Sequence, residues 1–311
     1  MEQNELFKQL TKKSVASKKD IFGKYLSLSA LILIGITVVA ILFFVISRGL
    51  TTFTLDKINP FRFLFGTDWQ PNNVDKNNNP LVGALPMIFG SFVITLLSAL
   101  VAAPFAIGTA IFMTEVSNQR GAKIMQSVIE LLVGIPSVVY GFIGLTVIVP
   151  FVRNTFGGSG FGILSGIIVL FVMILPTITS MSIDALNNVP KIYRESAYSI
   201  GATPWQTIYK VVLRSAIPGI LTAIVFGLSR AFGEALAVQM VVGNSPVIPQ
   251  NALSPAATLT SVLTQGIGNT TEGSLQNDVL WSLAMILLLM SLVFNLIIRK
   301  IGKKGEMKNN V

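Results

Sequence analysis

The sequence contains no cysteine and no histidine, and only 12% of its 311 residues are charged. The first two absences exclude a disulfide framework, a Cys/His zinc or haem site, and any Ser-His or Cys-His catalytic pair. Sparse charge argues against an ordinary water-soluble domain, in which roughly a quarter of residues are charged. A hydrophobic content of 52% with a mean hydropathy of +0.70 excludes a disordered chain and points to an integral membrane protein. No Gly-x-x-x-x-Gly-Lys-Ser/Thr segment is present, so the chain lacks the phosphate loop that binds ATP. The glycine-rich run from Gly157 to Gly162 has no such ending and reads as a flexible external turn.

What is present is long apolar stretches. Tyr25 to Ser47 carries no charge, and at about 1.5 Å per helical residue it crosses a hydrocarbon layer of roughly 30 Å. It is too long for a signal peptide and lacks a small-residue cleavage site, which makes it an uncleaved anchor. Five more stretches follow, at about Leu81–Thr114, Ile124–Val152, Phe161–Ile183, Ile217–Val242 and Val279–Ile298. The expectation is an all-α integral membrane protein with six transmembrane helices. Gly90, Pro104, Gly134, Pro136, Pro176 and Gly227 fall inside these stretches, where membrane helices tolerate kinks or breaks.

The formal charge of +9 is explained by topology. With six spans, seventeen Lys and Arg residues lie on the side of the termini and five on the other; short cytoplasmic loops are the Lys/Arg-rich ones. Both termini are therefore expected in the cytoplasm, and the basic balance gives little support to nucleic-acid binding. One cation, Arg230, remains inside a span.

A charge at a helix centre costs roughly 2.5–3.5 kcal/mol on insertion scales, so intramembrane charges are functional candidates. Arg230 and Glu234 are four residues apart, one helical turn, where they can partner each other. Either they form an anion path, the guanidinium offering a fork to an oxyanion, or they are a packed ion pair joining helices. Glu130, in the third stretch, is a weaker candidate for the path. The polar interval from Asn187 to Arg214 holds two amphipathic helical patterns, one with Tyr193, Ala197, Ile200 and Gly201, the other with Trp205, Ile208 and Val212. They suit docking on a soluble protein or lying at the membrane interface with Trp205 as anchor.

At these residues a family resemblance enters. Glu195, Ser196, Ala197, then Gly201 and Val211-Val212-Leu213 resemble the EAA loop of ABC-importer permeases, with Ser196 in place of Ala, Val211 in place of Ile and Arg214 where Pro is usual. The segment Arg230 to Asn244 resembles the fifth-span signature of PstC-type permeases of bacterial phosphate importers. Phe65 to Pro71, Gly83 to Pro86, and Gly134 to Gly141 match that family as well. The resemblance implies a type I importer permease fold with cytoplasmic termini in a bacterial plasma membrane. It implies a coupling helix at Glu195, Ser196, Ala197, Gly201 and Trp205 that docks on an ATPase subunit, and a substrate pathway at Arg230 and Glu234. It implies three partners: a PstA-type permease, a PstB-type ATPase dimer and a PstS-type phosphate-binding protein. No cofactor and no metal are expected.

On this reading the chain divides into a cytoplasmic tail at 1–24, an anchor helix at 25–47, an extracytoplasmic loop at 48–80, a permease domain at 81–299 with its coupling loop at 187–214, and a tail at 300–311. The rivals are a permease for another oxyanion such as phosphonate, molybdate or sulfate, a secondary transporter, and an intramembrane enzyme. Against the second stand the missing inverted repeat and carboxylate chain; against the third stands the missing nucleophile–base spacing.

Overall fold

The computed structural model describes residues 15–76 and 78–308. Lys8, Lys12 and Lys13, and residues 309–311 of the expected C-terminal tail, lie outside them. Among the described residues six helices are long and apolar enough to cross a membrane: Ile21–Thr54, Leu85–Val116, Ser137–Phe156, Ile163–Asn187, Pro204–Gly233 and Leu275–Leu296. The protein is a multi-pass membrane protein with an all-α architecture.

The chain forms two units, Met1–Arg48 and Gly49–Val311. The first holds most of helix α1 (Val15–Thr54), where Leu31, Val39 and Phe43 are exposed, as suits a helix whose surroundings are lipid. The helix begins well before Tyr25, where the charge-free run starts.

The second unit contains everything else. A short helix α2 (Pro60–Phe65) and an antiparallel hairpin of β1 (Trp69–Val74) and β2 (Pro80–Val82), paired Trp69 with Val82, structure what reads in the sequence as a loop. The second span is α3 (Leu85–Ile111), extended by a π-helical turn, Phe112–Val116. Next come α4 (Gln119–Gly134) and α5 (Ser137–Ile143), a π turn and α6 (Val149–Phe156). The fourth span is α7 (Ile163–Asn187). Two helices of the loop between the fourth and fifth spans, α8 (Lys191–Ser199) and α9 (Pro204–Thr207), lead through a π turn into α10 (Leu213–Gly233). The chain ends with α11 (Leu236–Gln239), α12 (Leu259–Gly266) and α13 (Leu275–Lys308).

The core is built from close helix contacts, because lipid removes the hydrophobic drive between helices and leaves packing and hydrogen bonds. On α3 the buried face repeats small residues: Ser91, Thr95, Ser98, Ala99, Ala102, Ala106 and Ala110. This face packs on α7, and Ser98 Oγ donates across the seam to the Ile167 carbonyl at 3.3 Å. The opposite face exposes Leu96, Leu100 and Phe105. Packing of α7 on α10 is closer still: a Cβ at Gly227 would lie 2.5 Å from Ile178 Cγ1. Pro104 and Pro176 both sit inside continuous helices, so neither breaks its span.

The third span differs from expectation. The helix preceding the Gly134–Pro136 break is a separate amphipathic element, and the span begins at Ser137. Pro136 cannot continue a helix across that point without losing a backbone bond and clashing with the preceding turn. Tyr140 Oη closes the break by donating to the Leu132 carbonyl at 2.8 Å. The glycine-rich turn is likewise held rather than loose: Arg153 Nε donates to the Ser159 carbonyl at 2.9 Å, and the Ser165 hydroxyl donates to the Gly160 carbonyl.

Candidate functional site

Helix α10 stops at Gly233, and Glu234 takes an extended backbone (φ −77°, ψ 118°). Arg230 and Glu234 are therefore not on consecutive turns of one helix, and they form no ion pair. Arg230 Nη1 instead donates to Thr177 Oγ1 of α7 at 2.7 Å. Glu234 Oε1 accepts from the Ala237 backbone N–H at 3.2 Å. The i,i+4 expectation fails because it presupposes continuous helix. The sequence signal for the interruption is Gly233, whose lack of a side chain weakens helix at that point.

The break is held from the loop between the fifth and sixth spans. The Thr260 hydroxyl donates to the Glu234 carbonyl at 3.0 Å, Thr258 and Thr260 hydroxyls lie 3.1 Å apart, and Thr258 Oγ1 accepts from the Ser261 N–H at 3.1 Å. Since Thr260 spends its proton on Glu234, Thr258 must donate to Thr260, giving a directed chain of hydrogen bonds that ends on the backbone of Glu234. Ser91 of α3 accepts from the Leu259 N–H at 2.8 Å. Glu234 lines a small cavity with Ser91, Thr95, Thr258, Thr260 and the apolar Leu170, with room for no more than about one water molecule.

Glu130 is not in a span. It lies on exposed α4 and accepts from Gln126 Nε2 at 2.8 Å, so the expectation of an intramembrane carboxylate there is corrected; the Pro136 break excludes it.

A second, larger cavity of about 290 Å³ lies at the hairpin and is lined by Trp69, Asn72, Asn244, Gln265 and Gln276 among others, all uncharged. Motifs distant in sequence meet beside it: the Gly83 N–H donates to the Asp68 carbonyl at 2.8 Å and the Leu85 N–H to the Gly66 carbonyl at 3.2 Å.

In the segment expected to form the coupling loop, Glu195 and Ser196 are exposed and Ala197 is buried. Gly201 has φ +84°, a left-handed conformation that glycine adopts without a Cβ penalty, and it reverses the chain between α8 and α9. Thr203 and Gln206 then form a reciprocal capping box at the start of α9. The expectation of a second short helix is corrected here. Trp205, 67% exposed, sits at the head of an unbroken helical segment that becomes the fifth span, Pro204–Gly233, because the helix started by Thr203 and Pro204 runs on to Gly233. Pro218 within it is accommodated in α10.

Sequence reasoning missed three participants: Thr177, Glu115 and Arg194. Arg194 Nη2 and Nε bind the Glu115 carboxylate at 2.6 and 3.3 Å. Buried Arg–carboxylate pairs 79 residues apart leave no local spacing to detect.

Residues 102–304 match the family of binding-protein-dependent transport system inner membrane components. The chain belongs to that family of ABC-importer permeases. The permease is 52% identical over 278 residues, 89% of this chain and 88% of the other, to the probable ABC transporter permease protein YqgH of Bacillus subtilis. It is 33% identical over 272 residues, 80% and 82% of the two chains, to the phosphate transport system permease protein PstC of Pasteurella multocida. Among solved structures, the fold is that of the MetNI methionine ABC transporter (TM-score 0.56, 20% identity, covering 70% of this chain and 93% of that one). It is also that of a bacterial alginate ABC transporter (TM-score 0.63, 16% identity, covering 92% and 96%). This is the type I importer permease fold, in a family of non-catalytic subunits.

Proposed function

We propose that this permease is the PstC-type subunit of an ATP-driven importer that passes inorganic phosphate into the cytoplasm. The observation that carries the reading is the state of Arg230: a guanidinium inside a membrane span, bonded to a neutral hydroxyl rather than to a carboxylate. A half-buried cation in a span without a counter-ion is costly, and a passing oxyanion supplies the missing charge. The PstC-named relatives point to phosphate as that anion. The neutral lining of the larger cavity offers an anion no such charge.

In this reading Glu234 limits how tightly the anion is held, since a pathway must release what it binds. The heterodimer partner is a PstA-type permease. ATP is hydrolysed by a PstB-type dimer docked at Glu195, Ser196, Ala197, Gly201 and Trp205, and a PstS-type protein delivers phosphate from outside. Nucleotide-driven closure of the ATPase dimer moves the coupling loop and reopens the spans outward.

The test is uptake of radiolabelled phosphate by cells expressing the complete system, with sulfate, molybdate and phosphonate as competitors. Competition by unlabelled phosphate alone is the expected result. Uptake abolished by sulfate or molybdate at equal concentration would reassign the substrate.

A further inference from the structure

Arg194 precedes the Glu195 of the coupling loop, yet its side chain turns away from the exposed surface: it is 20% exposed and its partner Glu115 is 10% exposed. Four of the five guanidinium N–H groups are used. Nε and Nη2 grip both oxygens of Glu115, at 3.3 and 2.6 Å, Nη1 donates to the Val189 carbonyl at 2.9 Å, and the second Nη2 proton goes to the Leu186 carbonyl at 3.1 Å. Glu115 belongs to the π turn that finishes the second span. Leu186 lies in the last turn of the fourth span, which ends at Asn187, and Val189 follows it. One side chain of α8 thus holds the cytoplasmic ends of two spans.

The surroundings make this joint stiff. Met113, Ile183, Leu186, Val189 and Val212 are buried around it in one apolar cluster, where an ion pair is poorly screened and loss of one partner strands the other. The planar fork cannot be reproduced by a lysine ammonium. The exposed residues of the same loop, Ile192, Tyr198, Ile200 and Trp205, form the surface available to a soluble partner.

We infer that Arg194 is a positioning residue of the transport cycle, which makes the second and fourth spans move as one body with the coupling helix. The fifth span is already tied to the loop covalently, through the unbroken helix from Pro204; Arg194 and Glu115 extend the same displacement to the two spans that no continuous helix connects to it. This rests on the docking role proposed for the loop.

The experiment uses the full importer. The natural absence of cysteine lets a Lys191→Cys, Leu100→Cys pair carry spin labels on α8 and mid-span α3. The expected result is one distance distribution shared by the nucleotide-free and the ATP–vanadate-trapped complex, and two different distributions once Arg194→Gln is added. A distance that changes between states without that substitution overturns the inference. In proteoliposomes, R194Q and E115Q are each expected to lower phosphate taken up per ATP hydrolysed by about tenfold, the scale of a lost charge-assisted hydrogen bond. The double variant is expected to lose no more than either alone, because both remove one joint. An unchanged ratio, multiplicative losses, or loss of the ATPase from purified R194Q complex would each count against it. The label measurement involves no transported substrate, so its failure is separable from failure of the phosphate assignment, and co-purification of Trp205 variants tests docking by itself.

Discussion

Arg230 of the fifth span donates a 2.7 Å hydrogen bond to the Thr177 hydroxyl of the fourth, so the cation is held by a neutral group that also serves as an acceptor. That fixes the guanidinium in position without neutralising it. Arg230→Gln is expected to reduce phosphate uptake by about 100-fold, the consequence of losing roughly 2–3 kcal/mol of charged hydrogen bonding, while the complex still assembles. Normal uptake by an assembled Arg230→Gln complex sinks the pathway role.

Thr177→Val removes the hydroxyl but keeps the shape. The lost bond, made by a charged donor, is worth about 1.5 kcal/mol, so a roughly tenfold fall in uptake is expected, with Arg230 still charged and the protein still folded. An uptake loss as large as that of Arg230→Gln would mean that Thr177 does more than orient the guanidinium.

Gly201 and Trp205 test the proposed docking surface from two directions. Gly201→Val places a branched side chain at φ +84°, which costs about 1–3 kcal/mol of backbone strain and misdirects α8 relative to α9. Trp205→Ala leaves the turn intact and removes the exposed ring. Both are expected to weaken co-purification of the ATPase; retention of a fully coupled ATPase in Trp205→Ala assigns that ring to the membrane interface instead.

Close packing of α7 on α10 predicts a local, reversible defect. Gly227→Ala puts a methyl group 2.5 Å from Ile178 Cγ1 and is expected to cost about 1–3 kcal/mol by overpacking, seen as a lower Tm in detergent. Ile178→Ala in the same chain removes the clashing atoms and is expected to recover part of the loss. No recovery would show that the two helices do not meet at this point.

Asp56, in the turn after α1, carries a buried Oδ2 with no hydrogen-bond partner. Burial raises its pKa above the ordinary carboxylate value, and the nearby Asp278 raises it further. A carboxyl whose folded pKa is raised binds its proton more tightly in the native state, so its contribution is fully present below the unfolded pKa and is lost as pH rises through the folded one. Asp56→Asn is therefore expected to raise Tm at neutral pH, with the difference from the unsubstituted protein vanishing as the pH falls below the ordinary carboxylate range. A difference that grows toward acid would reverse the assignment.

How far the sequence carried the structure depends on the range of the interaction. The six spans and the charge sidedness are sums over many residues along one stretch of chain, and composition reports them directly. The turn at Gly201 and the helix start at Thr203 and Pro204 were legible because each is set by neighbouring residues. Glu130 and the Arg230–Glu234 pair misled, since each assumed a helix running through Pro136 or Gly233.

By itself the sequence determined that this is a cysteine- and histidine-free membrane helix protein with one cation stranded in a span. Only the tertiary structure decided what that cation touches. Thr177 is 53 residues from Arg230, and Glu115 is 79 from Arg194; at such separations a side chain's partner is set by how helices pack, and one residue's rotation about a helix axis decides whether two groups meet.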